Sequence, residues 1–137
     1  MNSHARWFLV LGGLNAAVAV ALGAAGTHAL KEQLAINDPA GWFAVAIQYH
    51  QYHALGLIVV GLTMGRFLPS KWFTCAGWLM LLGILLFSGN LYLRSLAGVH
   101  ALHATIPVGG AALIASWLLF AIGGIRSSMN HNSQHTP

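Results

Sequence analysis

The stretch WFLVLGGLNAAVAVALGAAGTHA, residues 7–29, decides the fold. It lies within the 24 uncharged residues that separate Arg6 from Lys31. About 20 apolar residues are enough for a helix to cross the roughly 30 Å hydrocarbon core of a bilayer. A signal peptide is the alternative, but its hydrophobic region usually holds only ~7–15 residues. The stretch therefore predicts a retained transmembrane helix.

Three more uncharged stretches follow the first. They hold 27 residues between Asp38 and Arg66, 22 between Lys71 and Arg94, and 31 between Arg94 and Arg126. Each is long enough for one crossing and too short for two. Helices are required because lipid offers no partners to unpaired backbone groups. The expected spans are residues 7–29, 42–65, 72–93 and 103–125.

We therefore predict an all-α, polytopic four-helix bundle in the membrane. It forms a single transmembrane domain over residues 1–126. The tail at 127–137 is polar and short of aliphatic residues, so we expect it to be disordered.

The composition supports the membrane prediction and excludes several functions. Charged residues make up 6% of the chain, whereas soluble domains average about 25%. The six Lys and Arg are scattered, so they form no basic face for nucleic acid. Glu32 and Asp38 are the only acids, which nearly excludes a catalytic carboxylate pair and leaves histidine as the remaining acid–base group. Because the sequence shows no arrangement of nucleophile, base and orienting group, we expect no enzyme activity. Cys75 is the single cysteine and has no partner for a disulfide within the chain.

The basic residues also predict an orientation. Four spans put the termini and the second loop on one side, with Arg6, Arg66, Lys71 and Arg126. The other side holds Lys31 and Arg94. Because cytoplasmic loops carry an excess of Lys and Arg, we expect both termini in the cytoplasm.

The start of the second span has two interpretations. Asn37-Asp38-Pro39 is a helix-start signal, and the helix could run from Pro39 to near Phe67. Alternatively, an interfacial amphipathic stretch enters the membrane only near Tyr49. The choice decides whether four polar residues lie at lipid depth or at the headgroups: Gln48, His50, Gln51 and His53.

Small and polar residues within the spans predict how the helices pack. Small residues let membrane helices approach closely, and they recur at Gly12/Ala16, Ala17/Ala21/Ala25, Gly61/Gly65 and Gly77/Gly83/Gly89. Asn15 is the deepest polar side chain of the first span, and we expect it to form a hydrogen bond with another helix. Ser88 and Asn90 are interpreted in the same way.

Histidine is the one unusual feature of the composition. Five of the eight histidines fall at span ends that share the non-cytoplasmic face: His28, His50, His53, His100 and His103. Imidazole nitrogens from facing helices suit zinc, copper or haem iron, so a divalent metal or haem site is one interpretation. Interfacial histidines that bind headgroups, water or a neighbouring helix are the other. No cofactor is expected under the second interpretation.

Four stretches of the chain resemble the DUF423 family of small membrane proteins. They are GAAGTHALK at 23–31, YHQYHALGL at 49–57, GILLFSGNLYL at 83–93 and ATIPVGGAALIASWLL at 104–119. The family includes the UPF0382 inner-membrane proteins of bacteria and is similar to transmembrane protein 256. The resemblance implies a bacterial inner-membrane four-helix protein and carries over no settled activity.

The resemblance also implies a set of motif positions, from which we take a candidate functional patch: His28, Tyr49, Tyr52, His53, Ser88 and Tyr92. His50 stands where the family tends to have Gln, and His100 and His103 lie outside the motif positions. Among the patch residues, we expect His28 and His53 to bond each other or Tyr92.

Three functions are compatible with these patterns. The preferred one is a structural, accessory or self-associating membrane component, whose partners are the bilayer and either other copies or a larger membrane complex. A metal- or haem-binding protein that uses the histidines is the first alternative. An oligomeric small-solute transporter or channel is the second.

Overall fold

The computed structural model describes residues 2–66, 70–99 and 104–132. The helices are α1 (Ser3–Thr27), α2 (Lys31–Asn37), α3 (Trp42–Arg66), α4 (Lys71–Ile84), α5 (Asn90–Ala97) and α6 (Thr105–Asn132). A π-helical turn, Leu85–Gly89, joins α4 to α5 without a break. The prediction of an all-α membrane protein is confirmed.

Three helical stretches of the described chain are long and apolar enough to cross a membrane. They are Ser3–Thr27, Lys71–Ala97 and Thr105–Ser127. The helix α3 is as long as α1, at 25 residues, but its glutamines and histidines lower its mean hydropathy. It nevertheless lies antiparallel beside α1, since Gly12 faces Ala54 and Gly61 faces Ala5. The helix α3 is therefore the fourth long helix of the bundle.

Helices α1 and α3 form one tightly packed pair. A Cβ at Gly12 would lie 2.9 Å from the carbonyl oxygen of Ala54, and one at Gly61 would lie 2.9 Å from that of Ala5. The backbones touch because both positions lack a side chain. The expected role of these two glycines in packing is thus observed, whereas Ala17 and Ala21 of the predicted alanine stripe are exposed.

The stretch α4–α5 and helix α6 form the second pair. A Cβ at Gly109 would lie 2.6 Å from the backbone nitrogen of Phe87, so α6 rests directly on the π-helical turn. Between the two pairs lies a common apolar core, which includes Phe8, Leu57, Phe73, Met80 and Leu113. The four long helices therefore bury one core and form one bundle.

The helix boundaries agree with the expected ones in part. The first helix ends at Thr27, two residues before the expected end. The helix α3 begins at Trp42, where the second span was expected to begin, because both carboxylate oxygens of Asp38 accept hydrogen bonds, at 2.8 Å each, from the amides of Trp42 and Phe43. The helix α3 is then continuous, without a separate interfacial segment. The last helix extends to Asn132, beyond residue 126, where we expected a disordered tail to begin. Ser127, at the start of the extension, donates a hydrogen bond to the Gly123 carbonyl one turn earlier.

Helix α2 was not predicted. It is a seven-residue helix between α1 and α3, and the amides of Gln33 and Asn37 both donate to the carbonyl oxygen of Leu96. Since Leu96 lies in the last turn of α5, its carbonyl has no partner within the helix. The connection between α1 and α3 is therefore fastened to the end of α5.

Candidate functional site

The candidate site is a hydrogen-bonded chain that centres on His50, inside the bundle. His50 is 5% exposed and lies on the face of α3 that is turned towards α1 and α5. Its Nε2 is 3.0 Å from Asn15 Oδ1 on α1, and its Nδ1 is 3.1 Å from Tyr92 Oη on α5. Three helices are thus joined through one imidazole ring.

The direction of this chain follows from Asn15. Its Nδ2 donates to the Leu11 carbonyl at 2.8 Å, so its Oδ1 is the atom that faces the ring. An amide oxygen only accepts, so Nε2 of His50 carries the proton. Nδ1 of a neutral ring is then an acceptor, and the Tyr92 hydroxyl donates to it. Every bond in the chain runs from Tyr92 through His50 to Asn15 and then to the Leu11 carbonyl.

Aromatic packing holds the outer end of the chain. The Tyr92 ring lies 5.5 Å from that of Phe43, in an edge-to-face arrangement, and 5.9 Å from the imidazole of His50. Near the same end, the guanidinium of Arg94 lies 5.1 Å from the centre of the Trp42 ring. These contacts fix α5 against the first half of α3, which places the tyrosine hydroxyl within reach of His50.

His53 belongs to a second cluster, on the side of α3 nearer α6. Its Nδ1 donates to the carbonyl oxygen of Tyr49, one turn earlier, at 2.6 Å. The ring lies 6.1 Å from that of Tyr49 and 6.2 Å from that of Trp117, and Tyr49 in turn lies 4.9 Å from Phe87. With its proton on Nδ1, the Nε2 of a neutral His53 presents a lone pair.

The π-helical turn brings further polar groups into the interior. Asn90 donates to the Leu86 carbonyl and to the hydroxyl of Thr105, which joins the start of α5 to the start of α6. Ser88 and Ser95 are fully buried, and in the described chain their hydroxyl oxygens are the buried side-chain atoms without a hydrogen-bond partner. As predicted, Asn90 bonds between helices, whereas Ser88 does not.

Comparison with protein families identifies the family of this chain. A family model described as "Protein of unknown function (DUF423)" matches residues 22–110. The chain belongs to the DUF423 family. The matched range contains His50, His53, Tyr92 and the π-helical turn, and the resemblance found in the sequence is confirmed.

Curated relatives of this DUF423 protein cover nearly the whole chain. The UPF0382 membrane protein YwdK of Bacillus subtilis is 41% identical over 119 residues, which are 87% of this chain and 96% of the relative. The UPF0382 inner membrane protein YgdD of Escherichia coli strain K12 is 32% identical over 121 residues, 88% of this chain and 91% of the relative. No solved structure matches the chain.

The residues of the predicted patch do not all meet in this DUF423 protein. His28 is exposed at the end of α1, and Tyr52 is exposed on the outer face of α3. Tyr49 and His53 lie together, and Ser88 is buried on the π-helical turn. The bond to Tyr92 is made by His50, so the expectation that His28 or His53 makes it is wrong. The helix rotation, rather than the sequence spacing, decides which histidine faces α5.

Asn15 is the site residue that the patch omitted. It lies near the middle of the apolar helix α1, and its hydrogen bond to another helix was expected. A polar side chain within an apolar helix must find a hydrogen-bond partner. This requirement could have identified Asn15 as a site residue from the sequence. His50 is likewise outside the predicted patch, and its bonds to other helices agree with the second interpretation of the histidines.

The predicted metal ligands are dispersed in the part of the chain that the structure describes. No group of three or more His, Cys, Asp or Glu side chains in that part is placed to hold a metal ion. Both ring nitrogens of His50 are engaged by protein atoms, and His28 faces outwards. His100 and His103 lie outside the described residues.

A groove of about 420 Å³ opens on the outer surface between α1 and α3. Phe43, which also packs against Tyr92, lines this groove, whereas His50 and His53 do not. The α1 wall consists of small residues, and the α3 wall is partly polar. The α1 residues are Gly23, Gly26 and Thr27, and the α3 residues are Phe43, Ala44, Ile47, Gln48, Gln51 and Tyr52. Gln48 donates to the Tyr52 hydroxyl at 3.1 Å within this groove.

Proposed function

We propose that this DUF423 protein is a structural component of a bacterial inner membrane, in which the buried histidine holds helices together. One observation carries the proposal: both nitrogens of His50 are hydrogen-bonded to side chains of other helices. A ring used in this way has no free lone pair for a metal and no free proton for acid–base chemistry. The Escherichia coli relative is named an inner membrane protein, which supports the same location for this protein.

The proposal includes no catalytic role. The hydrogen-bond partners of His50 and His53 in the described chain are an amide, a phenol and a backbone carbonyl. A carboxylate that could orient either ring is absent from these partners, and a histidine base usually needs such a group.

The proposed orientation has both termini in the cytoplasm. Arg126 lies 4.9 Å from the centre of the Trp72 ring and Lys71 lies 5.8 Å from it, so the basic residues of the second loop and of α6 share one end of the bundle. The excess of Lys and Arg at this end supports its cytoplasmic location. Reporter fusions to the C-terminus, one active only in the cytoplasm and one active only outside it, test the orientation.

A structural role is tested on tag-free protein purified in mild detergent from metal-replete cells. We expect His50→Leu to lower the unfolding free energy and to leave the metal content and visible absorbance per chain at the background of the wild type. Stoichiometric metal or a haem band that His50→Leu removes would contradict the proposal.

A metal- or haem-binding function is the second candidate, and His53 favours it. Histidines that bind metals almost always donate their other ring N–H to a carbonyl or carboxylate, as His53 does to Tyr49. The same purification tests this candidate with His53→Ala. Bound metal or haem that is lost in His53→Ala and retained in His50→Leu would establish it in place of the structural role.

A further inference from the structure

The groove between α1 and α3 exposes polar side chains to the surroundings of the bundle. Tyr52 is 56% exposed, and Gln48, one turn earlier on the same face, is also exposed. Their mutual hydrogen bond uses one N–H of Gln48. In the described chain, the amide oxygen, the second N–H and the phenolic hydrogen of Tyr52 have no protein partner.

The depth of both side chains follows from the position of Trp42, taken as the point where α3 enters the membrane. At 1.5 Å per residue, Gln48 is about 9 Å and Tyr52 about 15 Å along α3 from Trp42. The Trp42 ring, packed with Arg94, suits the membrane interface. The hydrocarbon core is roughly 30 Å thick and supplies no hydrogen-bond partners. Exposed amide and phenol groups at this depth therefore need a partner that donates and accepts.

We propose that a second copy of the chain docks on this groove, so that the protein is a two-fold dimer through α1 and α3. This inference deepens the proposed structural function and rests on it. With the orientation proposed above for both copies, the two-fold axis lies along the membrane normal. Each residue near the axis then faces its own counterpart at the same depth.

Self-pairing suits the chemistry of this face. A glutamine amide carries donors and an acceptor, so two Gln48 side chains pair with each other, and the same holds for the tyrosine hydroxyls. A charged residue would meet a like charge across the axis, and α3 carries none between Trp42 and Arg66.

The shape of the surface is also suitable. Gly23 leaves the α1 wall of the groove low, so a neighbouring helix can approach closely there, whereas the space over Gly26 is filled by the Phe43 ring. From Tyr52 towards the C-terminal end of α3, the same outer face carries exposed apolar side chains at helical spacing: Leu55, Val59 and Leu62. The groove and this face together form one continuous strip, which is polar near the N-terminal half of α3 and apolar along its C-terminal half.

Cysteine cross-linking in native membranes tests the dimer. The exposed Cys75 is first replaced by serine, and Gln48→Cys or Ala44→Cys is then introduced within the groove. The control is Val18→Cys, because Val18 is exposed, lies opposite residue 48 in the antiparallel pair, and is half a helical turn away from Thr27. We expect roughly tenfold more disulfide-linked dimer from the groove variants than from the control, since docking raises the local thiol concentration.

The mass of the protein in mild detergent provides the second measurement. We expect a dimer for the wild type and a shift towards monomer for Gln48→Leu, which keeps the volume and removes the amide. Equal cross-linking from Val18→Cys and both groove variants would overturn the proposal. A monomer that retains a bound lipid would overturn it as well, and would assign the groove to the lipid. If the dimer fails while His50→Leu still destabilises metal-free protein, the structural function stands without it.

Discussion

His50 and His53, three residues apart on one helix, carry their ring protons on opposite nitrogens. His50 donates from Nε2 to Asn15, and His53 donates from Nδ1 to the carbonyl of Tyr49. The difference follows from their partners, since an amide oxygen and a backbone carbonyl can only accept. One ring joins helices, whereas the other is fastened to its own helix and presents Nε2 to the side of α6.

The two tautomers are directly observable. In protein labelled with ¹⁵N at histidine, we expect His50 to show a protonated Nε2 and His53 a protonated Nδ1. Asn15→Leu should abolish the preference of His50 and leave that of His53 unchanged. Identical tautomers for the two rings in the wild type would contradict the hydrogen-bond directions.

The bond between Asn15 and His50 should stabilise the bundle. Asn15→Leu and His50→Leu each remove one partner at nearly constant volume, and the double variant removes both. Hydrogen bonds between membrane helices contribute about 0.6 kcal/mol on average and up to about 1.7 kcal/mol. We expect a coupling free energy in this range from a double-mutant cycle on unfolding in mixed micelles. Strict additivity of the two single variants would show that the bond contributes nothing.

Replacing two neighbouring glycines of α1 by alanine should have opposite effects on the unfolding free energy. The new methyl group of Gly12→Ala would meet the Ala54 carbonyl at 2.9 Å, whereas at Gly13 no atom lies within 4 Å. We expect Gly12→Ala to cost roughly 1–3 kcal/mol of unfolding free energy, because the α1–α3 backbones must separate. Gly13→Ala should be neutral or gain up to about 1 kcal/mol from helix propensity. Thermal unfolding in one detergent compares them, and equal effects would count against this packing.

Gly109 and Gly110, where α6 contacts the π-helical turn, form a second pair of neighbouring glycines for the same comparison. A Cβ at Gly109 would lie 2.6 Å from the backbone nitrogen of Phe87, whereas one at Gly110 would lie 3.7 Å from the Phe87 ring, an ordinary contact. We expect Gly109→Ala to lose roughly 1–3 kcal/mol and Gly110→Ala to change stability little. The same unfolding assay distinguishes them. A Gly109→Ala variant as stable as the wild type would mean that the turn can move away from α6.

Much of the fold could be predicted because charge is so sparse. The uncharged stretches set the number and approximate position of the long helices, and the isolated Asn15 had to find a partner in another helix. Gly12, Gly61, Gly77 and Gly83 all have neighbours that a Cβ would strike. Small residues alone were not decisive, since Ala17 and Ala21 point outwards.

The arrangement of the site was harder to predict. The π-helical turn accommodates one extra residue, which rotates the following helix by about 100° relative to an uninterrupted one. That rotation determines where Tyr92 points, and regular helical spacing cannot show it. Helix α2 was missed for another reason, since its stability comes from the distant Leu96 carbonyl rather than from a local pattern.

Helix α2 also has a consequence for the order of assembly. Its partner, Leu96, is synthesised about 60 residues after it, and Tyr92 follows His50 by about 40. The α1–α3 hairpin can therefore form its Asn15 bond as soon as it inserts, but it must wait for α5 to cap the imidazole and to anchor the surface helix. A hairpin without Tyr92 has no donor for Nδ1 of His50. The third crossing therefore completes the hydrogen bonding of the first two.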